Sequence, residues 1–458
     1  MSTIDPASVT TEQLVATDRA RIIHPYLGDS VTERVVMVKG KGSLLWDSEG
    51  KEYLDATGGL WLAQIGHGRE ELAEVAAEQL KQLEFFMSFW EFSNDKAIRL
   101  AERLVSLAPE GIEKAYFTSG GSEGNEAAIK MARYYHHRKG DTDRTWIIGR
   151  HRAYHGVGFG GGSVTGFPVY HDGFGPMMPH VAHLTPPWPY RTELFGSDQP
   201  LTPEQVTDFC IRELEETIGR IGAGNIAAFL GEPIMGVAGM VVPPDDYWPR
   251  VAEICRANGI LLILDEVVTA YGRVGHWFAA QHFGINPDII ITAKGITSGY
   301  LPLGAVLVAG QVAVELERDH GFPMGYTYNG HPTSCAVALA NLDIIEREGL
   351  LEKAVKTGDF LASQLREQLA DIPWLGEVRN VGMMLAVELV DDRTTRNPLP
   401  NTQGIADAVR RDHGVIVRDS SHGLVLSPNL NFSEEEAVRV ATAIRAVLLR
   451  TSADGTIG

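Results

Sequence analysis

Between about residues 95 and 310, short apolar runs alternate with stretches of helical period. The runs are residues 115–118, 145–148, 226–230, 260–264, 289–291 and 305–309. They show little of the polar alternation of a strand with one wet face, so they predict strands covered on both sides. Strands separated by helices predict an α/β domain with a mostly parallel sheet. One intervening helix should stop at Asn258-Gly259, since glycine accepts the left-handed turn that ends a helix. Upstream, residues 44–55 (LLWDSEGKEYLD) read as two short strands around a polar turn from Asp47 to Gly50.

After about residue 340 the texture changes to a helix, shorter strands and a final helix. Ser433 and Glu436 form a capping box at the start of that last helix, and Val440, Ile444, Val447 and Leu448 share one face. The expected division is an N-terminal segment (1–65) belonging to a small α+β domain, a large domain (66–335) and the rest of the small domain (336–458).

Composition fits this picture: 458 residues, 44% hydrophobic and 22% charged, describe a soluble chain of more than one domain. A net charge of -19 argues against nucleic acid or an anionic membrane as the main partner. Cys210, Cys255 and Cys335 are odd in number and far apart, which predicts a reducing cytoplasm and neither a disulfide framework nor a zinc site. Residues 1–18 carry no Lys or Arg, so no signal peptide is expected. No apolar run approaches the roughly 20 residues needed to cross a bilayer.

Four motifs carry candidate chemistry. Residues 118–126 (TSGGSEGNE) lie between a strand and a helix with Ala128, Ile129, Ala132 and Tyr135 on one face. Gly120, Gly121 and Ser122 offer free backbone N–H groups and a hydroxyl at a helix N-terminus, which suits phosphate and equally suits a plain turn. The same stretch matches G-x-S-x-G, with Ser122 as a hydrolase nucleophile and Asp265 with His331 or His422 as partners. Against that, the glycine run 156–162 follows the serine, where an oxyanion stretch should precede it. The second motif, residues 156–161 (GVGFGG), is a formal G-x-G-x-x-G, yet SVTGFPVYHDG after it has no helical period, so dinucleotide binding is disfavoured. In the third, the run 260–264 ends in Asp265, where open α/β sheets place ligands or where a carboxylate caps a helix. In the fourth, the run 289–291 is followed by Lys294-Gly295, either a surface lysine or an amine nucleophile held inside a site. His136 and His137 sit on a polar helix end, and the glycines after His155 argue against a helix pairing it with His151, so no metal site is assigned.

Taken in order, these stretches resemble the class III aminotransferases, fold type I enzymes that use pyridoxal 5′-phosphate (PLP), and within them the ω-amino acid:pyruvate and amine:pyruvate group. The resemblance runs from Tyr26 to about Leu449 and is most specific in GGLWLAQIGHG (58–68), TSGGSEGNE (118–126), AYHG (153–156), GEPIMGVAGMVVPP (231–244), LDEVVTAYGRVG (264–275), PDIIITAKG (287–295) and TYNGHP (327–332). It implies a seven-stranded, mostly parallel sheet in a PLP-binding large domain. It also implies that Lys294 holds PLP as a Schiff base and moves the proton, while Asp265 keeps the pyridine nitrogen protonated. Tyr154 and Val267 would flank the ring, Gly121 and Ser122 would hold the phosphate, and Glu232 would support Tyr154 or the cofactor. Thr327 would reach the phosphate from a second subunit, implying a homodimer with shared sites, or a tetramer built from it.

By position Tyr26, Trp61, Phe89 and Val237 resemble pocket-lining residues, and Arg418 resembles a mobile carboxylate clamp. Val237 stands where 2-oxoglutarate enzymes often carry a gating Glu, which favours pyruvate as acceptor; Tyr326 replaces a usual Phe. The implied activity is ping-pong transfer of an amino group from an ω-amino acid or primary amine (β-alanine, taurine, diamine or arylalkylamine type) to pyruvate. A dialkylglycine decarboxylase or an aminomutase would use the same Lys294, Asp265 and Tyr154.

Overall fold

The computed structural model of the protein describes residues 9–31 and 33–458. Its centre is a seven-stranded sheet. The strands are β1 (Ile112–Thr118), β2 (Trp146–Arg150), β3 (Val181–Leu184), β4 (Ile226–Gly231), β5 (Leu261–Asp265), β6 (Ile289–Thr292) and β7 (Gly304–Ala309). Their spatial order is β1-β7-β6-β5-β4-β2-β3. The five strands from β6 to β3 run parallel, whereas β7 is antiparallel to both β6 and β1. Every residue of β4, β5, β6 and β7 is buried, which is why their sequences are continuous apolar runs. Burying Ile289, Ile290 or Ile291 stabilises the fold by about 1.5–3 kcal/mol each relative to exposure.

All six runs read from sequence form strands, with ends shifted by up to three residues. Strand β3 is the addition: its residues VAHL are mostly half-buried at a sheet edge. A second difference lies at the glycine run. Phe159–Val164 forms a short helix through Gly160, Gly161 and Gly162. Gly160 and Gly161 are a packing requirement, because a Cβ there would lie 2.6 Å from the Glu126 carboxylate or 2.3 Å from the His155 carbonyl oxygen, respectively.

The sheet aims its chain ends at one place. β1 runs into the helix α1 (Gly121–Lys139), whose buried face holds Ala128, Ile129, Ala132 and Tyr135. β5 ends at Asp265, and β6 is followed two residues later by Lys294. The helix Tyr247–Ala257 stops at Asn258, with Gly259 in the left-handed region at φ +63°.

Two smaller four-stranded sheets complete the structure. Leu44–Asp47 and Glu52–Asp55 pair as expected, Met37–Lys41 joins them, and Val415–Ile416 adds in parallel to Glu52–Asp55, tying the N-terminal segment to the C-terminal region. Leu375–Val381, Met384–Leu389, Gly423–Leu426 and Arg418–Ser420 form the other. The C-terminal region is richer in helix than its sequence suggests, with Leu350–Gln368 and Thr402–His413 before the last helix, Glu434–Leu448. That helix is closed by the expected box: the Glu436 N–H donates to Ser433 Oγ and the Ser433 N–H to the Glu436 carboxylate. Among the described residues, no helix is long and apolar enough to cross a membrane.

Candidate active site

At the carboxyl ends of β5 and β6 lies a cavity of about 390 Å³. Lys294 enters it, and its backbone holds φ +47°, a left-handed conformation that costs a side-chain-bearing residue energy. Its amine lies 5.0 Å from the centre of the Trp61 ring. Burial disfavours the charged amine and lowers its pKa from 10.5 to about 8, against the opposing pull of Asp265 and Glu232. A lysine so placed is available as a neutral nucleophile near neutral pH.

Asp265 is buried, and both its oxygens are engaged. Oδ2 accepts from His155 Nδ1 at 2.8 Å and from Asn125 Nδ2 at 2.9 Å; Oδ1 accepts from the Val267 N–H at 3.1 Å. The carboxylate can only accept, so His155 carries its proton on Nδ1. Glu232 is buried too, and burial pushes its pKa up. One of its oxygens accepts from the Tyr154 N–H at 3.0 Å and the other from the Gly236 N–H at 2.9 Å, so it fixes two loops that line the cavity.

The floor is a cradle without room for side chains. A Cβ on Gly121 would meet Val267 at 2.8 Å, and one on Gly156 would meet Ser122 at 2.5 Å. Gly120, Gly121 and Ser122 line the cavity at the N-terminus of α1, where backbone N–H groups and the helix dipole favour an anion. Leu60, Ile234, Val237 and Val268 supply apolar wall, and Lys294 is the one cationic side chain in the lining among the described residues.

The remaining sequence candidates are placed as follows. Trp61 is buried with its indole N–H unpartnered, and Arg418 lies over the same ring at 4.8 Å. Tyr26 stands outside the lining, 76% exposed, and meets the Tyr170 hydroxyl at 3.2 Å; Tyr170 in turn packs edge-on against Tyr154. Phe89 is not in this cavity: it lines a separate groove with Tyr116, Met324, Gly325 and Asn329. Thr327 is exposed on the same part of the surface. The hydrolase arrangement does not form, because Asp265 bonds His155 while His422 contacts Arg152 at 2.9 Å and His331 lies against Phe85. Among the described residues, no group of three or more His, Cys, Asp or Glu is placed to hold a metal.

Besides apolar wall residues such as Leu60, Ile234 and Val268, the sequence candidates omit His155, Asn125 and Tyr170, which bond or pack against candidate residues. His155 reads from sequence as structural or solvated, because its spacing from His151 suggests only a helical pairing that the glycines exclude. Asn125 shares the buried face of α1 with Ile129 and Ala132, and a polar residue on an apolar helix face is the signal that could have found it. Tyr170 gives no signal.

Comparison with known proteins decides the family. The model of the class III aminotransferases matches residues 27–448. The chain belongs to that family. An (S)-enantioselective ω-transaminase from Thermomicrobium roseum shares 45% identity, covering 96% of this chain and 99% of that one, with a TM-score of 0.92. An amine transaminase from an uncultivated Pseudomonas species, solved with PLP bound, shares 41% over 94% and 98%, with a TM-score of 0.90. The putrescine–pyruvate aminotransferase of Pseudomonas aeruginosa is 36% identical over 91% of each chain, and the diaminobutyrate–2-oxoglutarate transaminase of Halomonas elongata 37% over 90% of each. This class III aminotransferase is thus an α/β protein of fold type I that uses PLP. The site fits that cofactor: an anion cradle with glycines, a buried carboxylate fixed by three donors, and a lysine lining the same cavity.

Proposed function

We propose that this aminotransferase takes the amino group of an ω-amino acid or primary amine and passes it to pyruvate, giving alanine, in two half-reactions. The observation that carries this reading is the supply of cations. A dicarboxylate acceptor such as 2-oxoglutarate needs a partner for each carboxylate, whereas pyruvate needs one. Lys294 is committed to the chemistry and the nearby Arg273 is buried against the Pro428 carbonyl and the Gln64 side-chain oxygen, which leaves Arg418, held over Trp61, as the available guanidinium among the described residues. Val237 adds apolar wall at the position where a gating carboxylate would otherwise manage a second acceptor group. The apolar surface of Leu60, Ile234 and Val237 suits the carbon chain or ring of a donor of β-alanine, taurine, diamine or arylalkylamine type.

PLP, when bound, supplies an electron sink and carries the amino group between the two substrates. The protein's part is assigned by residue. Lys294 Nζ would hold the cofactor and, once substrate has displaced it, would move a proton between the substrate carbon and the cofactor. Asp265, oriented by His155 and Asn125, would hold the proton on the pyridine nitrogen. Tyr154, fixed by Glu232, and Val267 would flank the ring, and Gly121 with Ser122 would hold the phosphate. A homodimer would bring the partner subunit's Thr327 and the partner subunit's Phe89 to each cavity; exposed Trp90 and Tyr328 beside them support that surface as the contact. Three buried free thiols support the cytoplasm as location.

The test is a panel of amines with pyruvate or 2-oxoglutarate as acceptor, read as alanine or glutamate. Alanine should form with the larger kcat/KM. A higher kcat/KM for 2-oxoglutarate would remove the acceptor assignment and leave the aminotransferase.

A further inference from the structure

The turn that carries Lys294 is built around two left-handed residues, Lys294 at φ +47° and Ser298 at φ +51°. Neither is glycine, so the surrounding structure must hold the turn in place. One side chain supplies most of that restraint. Asn341 lies in the middle of the helix Pro332–Arg347, fully buried on a face otherwise made of Val337, Ala338, Ile344 and Ile345. A buried amide on an apolar face is costly unless its polar atoms are satisfied. Here every bond goes to the lysine turn. Nδ2 donates to the Gly295 carbonyl at 2.9 Å and to the Ile296 carbonyl at 3.0 Å, and Oδ1 accepts from the Ser298 hydroxyl at 2.6 Å. From the opposite side Gln64 closes on Gly295 so tightly that a Cβ there would lie 2.2 Å from its Nε2.

We propose that Asn341 is a positioning residue for Lys294, keeping the 294–298 turn in the strained geometry that directs the amine into the cavity. The proposal rests on the assignment of Lys294 as the cofactor-bonding residue. It gives the helix a second role, since Pro332–Arg347 begins five residues after Thr327 and therefore links the lysine turn to the surface loop assigned to the subunit contact.

The test uses holoenzyme without substrate and follows the visible absorbance of the bound cofactor against pH, together with kcat, KM and Tm. Asn341→Leu keeps a similar volume and removes all three bonds. A loosened turn lets water reach the amine nitrogen and favours its protonated form, so the midpoint should rise by about one pH unit. kcat should fall on the order of tenfold or more, with KM for the amine within about twofold of wild type. Ser298→Ala, which removes the bond to Oδ1 and the longer one of 3.4 Å that the hydroxyl accepts from the Ile65 N–H but leaves both bonds from Asn341 Nδ2, should shift both in the same direction by less. An Asn341→Leu enzyme with the wild-type midpoint and kcat and only a lower Tm overturns the proposal. If that variant does not fold, Ser298→Ala decides on the same criteria. Borohydride reduction and peptide mapping of wild-type protein keep the two ideas separate: a label on a residue other than Lys294 removes the underlying assignment, whereas a label on Lys294 with unshifted variants removes only the role of Asn341.

Discussion

The two ends of the cavity are held to different standards. At the inner end, Asp265 accepts three hydrogen bonds, Glu232 pins two loops, and Gly121 and Gly156 leave no space for a Cβ. At the outer end, beyond the lining itself, the Arg418 side chain makes no hydrogen bond or ion pair among the described residues and rests on an indole face, while Tyr26 is mostly exposed. The inner groups act where charge develops, and preorganised groups there need not rearrange during reaction. On the proposed function, the outer groups meet an amine in one half-reaction and a keto acid in the other. A guanidinium held by a cation–π contact, worth about 0.5–2 kcal/mol, can leave it for a carboxylate worth more. The difference teaches that this fold reserves rigidity for the step shared by both half-reactions and leaves substrate discrimination to loosely held side chains.

The comparison breaks most completely at the inner end. Lys294→Ala should lose on the order of 10⁴-fold in kcat, because proton transfer and cofactor attachment go together. Alanine formation measures this, and residual turnover near wild type would place the proton carrier elsewhere. Asp265→Ala should keep the cofactor through the cradle yet lower kcat on the order of 10²–10³-fold. Equilibrium dialysis and steady-state rates test both halves of that statement; loss of cofactor binding with an unchanged rate per bound cofactor would contradict it.

The outer end should respond selectively. Arg418→Ala is expected to lower kcat/KM for pyruvate about 10–100-fold, the worth of a charge-assisted hydrogen bond, and to change simple amines about twofold or less. Equal losses for both substrate classes would show that Arg418 holds the site together and does not read carboxylates.

How much of this is legible in the sequence follows from the same contrast. The runs at 226–230 and 289–291 announce themselves because total burial leaves no polar alternation. Val181–Leu184 does not, since an edge strand with His183 in it looks like a loop. Lys294 and Asp265 are visible as strand-end residues but gain roles only through resemblance. His155 stands in the motif AYHG, and its value depends on a contact 110 residues away, which no local period encodes. Asn341 is hidden for the same reason, its three bonds spanning 43–46 residues. Phe89 resembles by position a pocket residue, yet it lines a separate groove with Tyr116 and Met324, a placement that no local pattern in the sequence signals.

The smallest effect tests whether the inner end is strained by its own chemistry. In cofactor-free protein the Lys294 amine titrates near about 8 when folded and near its ordinary 10.5 when unfolded. Between those values the unfolded chain binds the extra proton, so stability must rise with pH across about 8 to 10.5 and be lowest below 8, where a cation is held inside the cavity. Water in the open cavity screens part of this, leaving a contribution of order 2 kcal/mol. Thermal melts of apoprotein at pH 7.5 and 9.5 (chosen as roughly either side of that lower value) should be compared with Lys294→Met, which has no charge to bury. Subtracting the variant removes the titration of every other lysine and tyrosine. Wild type should gain a few degrees relative to the Lys294→Met protein as pH rises. Parallel curves would mean that the amine escapes to solvent once the cofactor leaves, and that the inner end owes its rigidity to PLP and not to the turn beneath Lys294.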